Sequence, residues 1–185
     1  MATGEPALRA DARRNYDRLL EAARECLTEQ GTDASLRDVA RRAGLGIGTL
    51  YRHFPTREAL LEAVTRQRFD TLRDRAAGLR DAASPTEALT AWLRDFVTSA
   101  KAYRGLPASV LAALQDKESE LHASCAAMRG QAARLLTRAQ EAGEIRADVT
   151  STELFTLAAG VAWAGEHSSA RVDRLLALVM EGLAT

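Results

Sequence analysis

The sequence predicts an all-α protein of about nine helices, a three-helix head of the helix-turn-helix type followed by a helical body. Apolar residues recur at three- and four-residue spacing in segment after segment. No stretch alternates apolar and polar residues with the β-branched enrichment of a strand. Helix start and stop signals, Ser84-Pro85-Thr86-Glu87 the fullest of them, divide the periodic segments from one another.

Residues 1–10 lack periodicity and read as a disordered arm. A first helix over residues 12–30 carries Tyr16, Leu19, Leu20, Ala23 and Leu27 on its core face and stops at Gly31. Ser35 then stands as an N-cap, with Asp38 placed to return the hydrogen bond in a capping box, ahead of Leu36, Val39 and Ala40. Gly44 ends that helix, because the left-handed turn that follows costs glycine little. Ile47, Leu50 and Phe54 bury one side of the next helix and leave Gly48, Thr49, Tyr51, Arg52 and His53 outward, a face suited to phosphates and base edges. Pro55 breaks it, and Thr56 caps a long helix through Leu60, Leu61, Val64, Phe69 and Leu72 to about residue 81. That helix links the head, residues 1–65, to the body, residues 66–185.

In the body, Ser84 opens a helix that carries Leu89, Trp92, Leu93, Phe96 and Val97 to about residue 102. Gly105 and Pro107 precede a short helix over residues 108–115, and a longer one follows over residues 117–142. Ile145 plugs the core from a loop, Thr150 and Glu153 cap a helix over residues 154–165, and a last helix covers residues 170–182. These last two are apolar nearly all round, from Phe155 to Ala164 and from Val172 to Leu183. A helix buried on every side in so small a domain needs a second surface to cover it, which predicts a two-fold, four-helix interface.

Net charge is zero over the 185 residues, so the chain is not a polycation that coats nucleic acid. The charge is local instead: residues 35–57 hold five arginines (Arg37, Arg41, Arg42, Arg52, Arg57) against the single acid Asp38. Cys26 and Cys125 fall in no paired motif, which excludes a disulfide scaffold. The N-terminus shows no apolar signal segment and nothing reaches membrane-spanning length, so a cytoplasmic protein that engages no membrane is expected. No Ser, His and acid share a recognisable elbow and no glycine-rich loop follows a strand, so the chain reads as no enzyme and as needing no cofactor. His122 and Cys125, one helical turn apart, make two ligands without a third, so no metal site is expected.

The run AGLGIGTLYRHFPTREALLEAV, preceded by SLRDVARR, resembles the DNA-binding domain of TetR-type transcriptional regulators. In that family a Gly-Thr-Leu-Tyr-x-His-Phe core and a following Ser/Thr-Lys/Arg-Glu-x-Leu segment recur, and the match covers residues 13–64. It departs at Gly46 and Ile47, where the family often has Ser and Lys. The first change weakens the cap of the recognition helix and the second replaces a polar groove contact with an apolar one. The resemblance implies a repressor that binds a pseudo-palindromic, double-stranded operator as a homodimer joined through its last two helices. The candidate DNA-binding residues are Ser35, Arg37, Gly46, Ile47, Gly48, Thr49, Tyr51, Arg52, His53 and Arg57; by the resemblance Thr49, Tyr51, His53 and Arg57 match positions that contact phosphate or base, and Ser35 the cap that approaches the backbone. Release by a small, largely apolar effector follows by the same resemblance, through a shift of the long fourth helix. Trp92, Phe96, Tyr103, His122, Cys125, Met128, Phe155 and Trp163 are the expected lining of its pocket. The alternative is a helical interaction module that has lost specific DNA binding.

Overall fold

A computed structural model describes residues 5–100, 105–167 and 171–185. Among them are nine α-helices and no strand: α1 (Glu5–Gln30), α2 (Leu36–Arg42), α3 (Ile47–His53), α4 (Arg57–Gly78), α5 (Pro85–Ala100), α6 (Ala108–Gln115), α7 (Glu120–Glu141), α8 (Ser151–His167) and α9 (Val172–Leu183). A 3-10 turn, Gly31–Asp33, follows α1, with Gly31 at φ 76°. The expected arm is corrected in part, because α1 already runs from Glu5.

Apolar surface sorts into two cores. One gathers Leu19, Leu20, Ala23 and Cys26 from α1 with Val39 and Ala40 from α2, Leu50 and Phe54, and Leu60 and Val64 from α4. The other gathers Leu61, Phe69 and Leu72 from α4 with Leu89, Trp92, Leu93 and Val97 from α5, Leu121, Met128, Leu135 and Leu136 from α7, and residues of α8 and α9. So α4 serves both, turning Leu60 and Val64 one way and Leu61 and Leu72 another, and Leu27 of α1 packs against both cores. The expected division at residues 65 and 66 falls inside α4.

Local chemistry explains most helix ends. Thr56 accepts from the Ala59 N–H, Ser84 Oγ from the Glu87 N–H at 3.3 Å, and Thr150 and Glu153 close a reciprocal capping box ahead of α8. α7 starts at Glu120, later than its periodicity suggests, because Ser119 Oγ accepts from the His122 N–H at 3.0 Å and also donates to the Ala113 carbonyl of α6. Removing that oxygen should therefore affect two helices. Ser119→Ala is expected to cost about 1 kcal/mol and lower Tm by roughly 2–4 °C. An unchanged melting curve followed by circular dichroism would show that the cap contributes nothing.

Ile145 fills the body core from the α7–α8 loop, as its sequence context suggests, and is 1% exposed. It is held by an isolated antiparallel bridge to Ala184 and by the Arg146 N–H donating to the Leu183 carbonyl at 3.0 Å. Gln140 Nε2 donates to the carbonyls of both Arg146 and Val149, which closes the loop over the end of α7.

Candidate nucleic-acid interface and body cavity

The turn between α2 and α3 is built on Gly44, whose φ of 64° lies in the left-handed region. A Cβ there would stand 2.7 Å from Arg18 Nη2, the far end of a flexible side chain that can move aside, so it is the backbone conformation that calls for glycine. The Gly44 N–H donates to the Arg41 carbonyl and the Leu45 N–H to the Ala40 carbonyl, closing α2 as Leu45 folds against the head core. Ser35 occupies the N-cap position of α2, but its side chain makes no capping bond. The expected capping box is absent because Asp38 pairs with Arg41 at 2.9 Å.

On α3, Leu50 is buried and Ile47, Thr49 and His53 are half-buried. Gly46, Gly48, Arg52 and Tyr51, the last 49% exposed, form the outward face. Added Cβ atoms at Gly46 and Gly48 would meet nothing within 4 Å, so no packing inside the chain demands glycine at either position. His53 turns partly inward, its ring 6.1 Å from Tyr16 and 6.3 Å from Phe54, and Tyr16 lies 5.1 Å from Phe54.

The arginines of the head divide by partner. Arg42 forms a bidentate pair with Glu29 of α1, both bonds 2.8 Å, and approaches Glu25 at 3.6 Å. The hydrogen bond from Arg42 holds the Glu29 carboxyl below the usual range and raises the Arg42 guanidinium in turn. This clamp sets α2 against α1. Arg57 turns inward, where Nη1 donates to the carbonyls of Thr32 and Ala34 at 3.0 and 2.7 Å. Expected on phosphate, Arg57 here braces the turn between α1 and α2 through that one nitrogen. Arg37 and Arg52 stay exposed with no ion pair among the described residues.

The body shows a different arrangement from the expected apolar pocket. Trp92 is fully buried, donates Nε1–H to the Leu72 carbonyl at 2.8 Å, and stacks on Phe96 at 5.5 Å. Phe155 meets both rings edge-on, at 5.8 and 5.5 Å, with the Arg129 guanidinium 4.8 Å over its own ring. Met128 is buried, His122 Nδ1 lies 2.9 Å from the Leu114 carbonyl, and burial pushes the half-buried Cys125 thiol up. Trp163 does not join this cluster: it is 63% exposed and stacks on His167 at 4.5 Å. Tyr103 lies outside the described residues.

A cavity of about 780 Å³ lies instead between α1, α4 and α5, lined by Arg24, Leu27, Arg68, Leu72, Arg75 and Asp95 among others. A smaller one of about 240 Å³ opens between α5, α8 and α9. Neither is lined by the aromatic cluster. The sequence reading missed the larger cavity, since its arginines look like ordinary solvated faces; Arg68 and Arg75, two turns apart beside Leu72, are the trace they leave.

Leu157 (42%) and Trp163 of α8 and Leu178 (46%) of α9 are exposed. Leu176, expected on the pairing surface, is 1% exposed and belongs to the core. Among the described residues no helix is long and apolar enough to cross a membrane, and no three His, Cys, Asp or Glu side chains gather as metal ligands.

Residues 19–64 match the model of bacterial regulatory proteins of the tetR family, and residues 84–185 match the C-terminal domain of SbtR-like transcriptional regulators. A crystal structure of a TetR transcriptional regulator from Streptomyces coelicolor is 40% identical, with a TM-score of 0.75 over 91% of this chain and 98% of that one. A TetR regulatory protein from Mycobacterium vanbaalenii is 36% identical, with a TM-score of 0.70 over 96% and 99%. The transcriptional repressor KstR2 of Mycolicibacterium smegmatis is 38% identical over 92 residues, 49% of this chain and 43% of that protein. A helix-turn-helix regulator of Staphylococcus aureus is 39% identical over 67 residues, so the chain spans well under two thirds of these curated relatives.

Proposed function

The chain belongs to the TetR family of transcriptional regulators, and from that premise we propose that it is a repressor that binds a pseudo-palindromic operator as a homodimer and leaves it when a small effector binds the body. Residues 1–65 act as the DNA-reading head and residues 66–185 as the effector and dimerisation body. The observation that carries this reading is the outward face of α3, where Gly46, Gly48, Tyr51 and Arg52 are exposed in a helix otherwise anchored by Leu50. The two glycines let the backbone approach a groove closely, and the phenol and guanidinium supply donors for phosphate oxygens. In this reading half-buried Thr49, at the edge of that face, reads bases and exposed Arg37 of α2 contacts the flanking backbone.

Selection of bound DNA from a random pool tests the reading. A palindrome with half-sites one helical turn of DNA or a multiple apart, about 34–36 Å for each turn, is the expected product. A pool that enriches no palindrome overturns it and favours a helical module that binds another macromolecule. On the selected operator, Arg37→Ala and Arg52→Ala should each weaken binding to all sequences alike and reduce the salt slope by about one, whereas Thr49→Ala should change sequence preference. Equal salt slopes for wild type and both arginine variants would remove these side chains from the interface.

Effector binding is placed in the body because α4 reaches both cores, so anything that reseats it there is felt in the head. At the aromatic cluster an apolar ligand has to displace Phe96, which is only half-buried, from its place beside Trp92 and Phe155.

A further inference from the structure

We propose that the cavity between α1, α4 and α5 is a binding site for a small amphipathic organic anion, one sulfonate or carboxylate on an apolar body. Its size, about 780 Å³, falls in the range of small-molecule sites. Three guanidinium groups line it, Arg24 from α1 and Arg68 and Arg75 from α4, against one carboxylate, Asp95 of α5. Two of the three are held by pairs that give way easily. Arg24 pairs with Glu21 on its own helix and Arg75 pairs with Asp95, with all four side chains about half exposed. Pairs that exposed contribute little, so a ligand anion displaces them at small cost. Arg68 donates to the Ser99 carbonyl across the cavity at 3.3 Å.

The floor is apolar. Leu27 packs against both cores, and buried Leu72 presents the residue whose carbonyl accepts from the Trp92 indole. A neutral apolar ligand would strip water from these half-exposed charged side chains and give nothing polar in return, and an inorganic anion would leave the leucines unfilled. An apolar body with one anionic group meets both demands. The ligand would lie against α1 of the head and α5 of the body at once, and so would fix one against the other. This site is separate from the aromatic cluster and does not depend on operator binding.

The test uses the full chain without DNA and two dyes of nearly one shape, 8-anilinonaphthalene-1-sulfonate and the uncharged N-phenyl-1-naphthylamine. Wild type is expected to bind the sulfonate more tightly. Arg24→Gln with Arg75→Gln should weaken the sulfonate about tenfold and leave the neutral dye unchanged. Thr71→Trp, at an exposed position that lines the cavity, should block both dyes by filling the space. Should the double variant melt early, Arg24→Gln alone, which touches only its own helix, should still weaken the sulfonate about threefold. Sulfonate affinity unaltered in the arginine variants, or both dyes binding undiminished to Thr71→Trp, would overturn the proposal.

Discussion

Trp163→Arg combined with Leu178→Arg is expected to give a monomeric chain that no longer binds operator DNA while its head remains folded. Both side chains stand on the outward face of α8 and α9, and neither packs into the body core, so the substitutions should leave the monomer intact. Interfaces of permanent dimers commonly exceed about 2,000 Å² and resemble a core, and a buried unpaired charge in such a setting costs about 3–5 kcal/mol. Two-fold symmetry places every substitution on both sides of the interface, which doubles the effect. Sedimentation at micromolar concentration should show twice the chain mass for the unmodified protein and the chain mass for the double variant. An unmodified protein that sediments as a single chain would remove the dimer, and with it the pairing of two heads on one operator.

Trp92→Ala is expected to destabilise the protein by about 3–5 kcal/mol, the range for truncating a large aromatic side chain in a packed core. The indole is fully buried, bonded to the Leu72 carbonyl, and packed against Phe96 and Phe155, so its removal opens a cavity where α4, α5 and α8 converge. At roughly 2–4 °C for each kcal/mol in a chain of this size, Tm should fall by about 6–20 °C. Heat and urea melts monitored at the helical signal provide the check. A loss under about 1 kcal/mol would mean that the cluster already encloses space of the kind an effector pocket needs.

Features set by neighbours in the chain could be read from the sequence. The caps at Thr56, Ser84 and Thr150, the left-handed turn at Gly44 and the bounds of α6 each depend on a few consecutive residues, and the structure has them where the residue pattern places them. The failures share one cause, a partner far away in sequence or an equally good one nearby. Asp38 had both Ser35 and Arg41 within reach, and the charged partner won. The bracing role of Arg57 could not be read either, because the carbonyls that hold it lie 25 and 23 residues earlier. In α9, apolar residues run nearly all round the helix, so periodicity could not tell that Leu176 faces the core and Leu178 faces out. The outward face of α3 was legible for the opposite reason, since Leu50 and Phe54 leave one orientation for that helix.

The double duty of α4 has a mechanical consequence. Rotating this helix about its own axis would pull Leu60 and Val64 from one core and Leu61 and Leu72 from the other, so packing holds it against twisting. Its 22 residues make a lever about 33 Å long. A tilt of about 5° at the body end then carries the head end through about 3 Å, close to the roughly 3.4 Å rise of one base pair along a strand. A small tilt of α4 is therefore amplified along its length into a displacement of about one step of the DNA ladder.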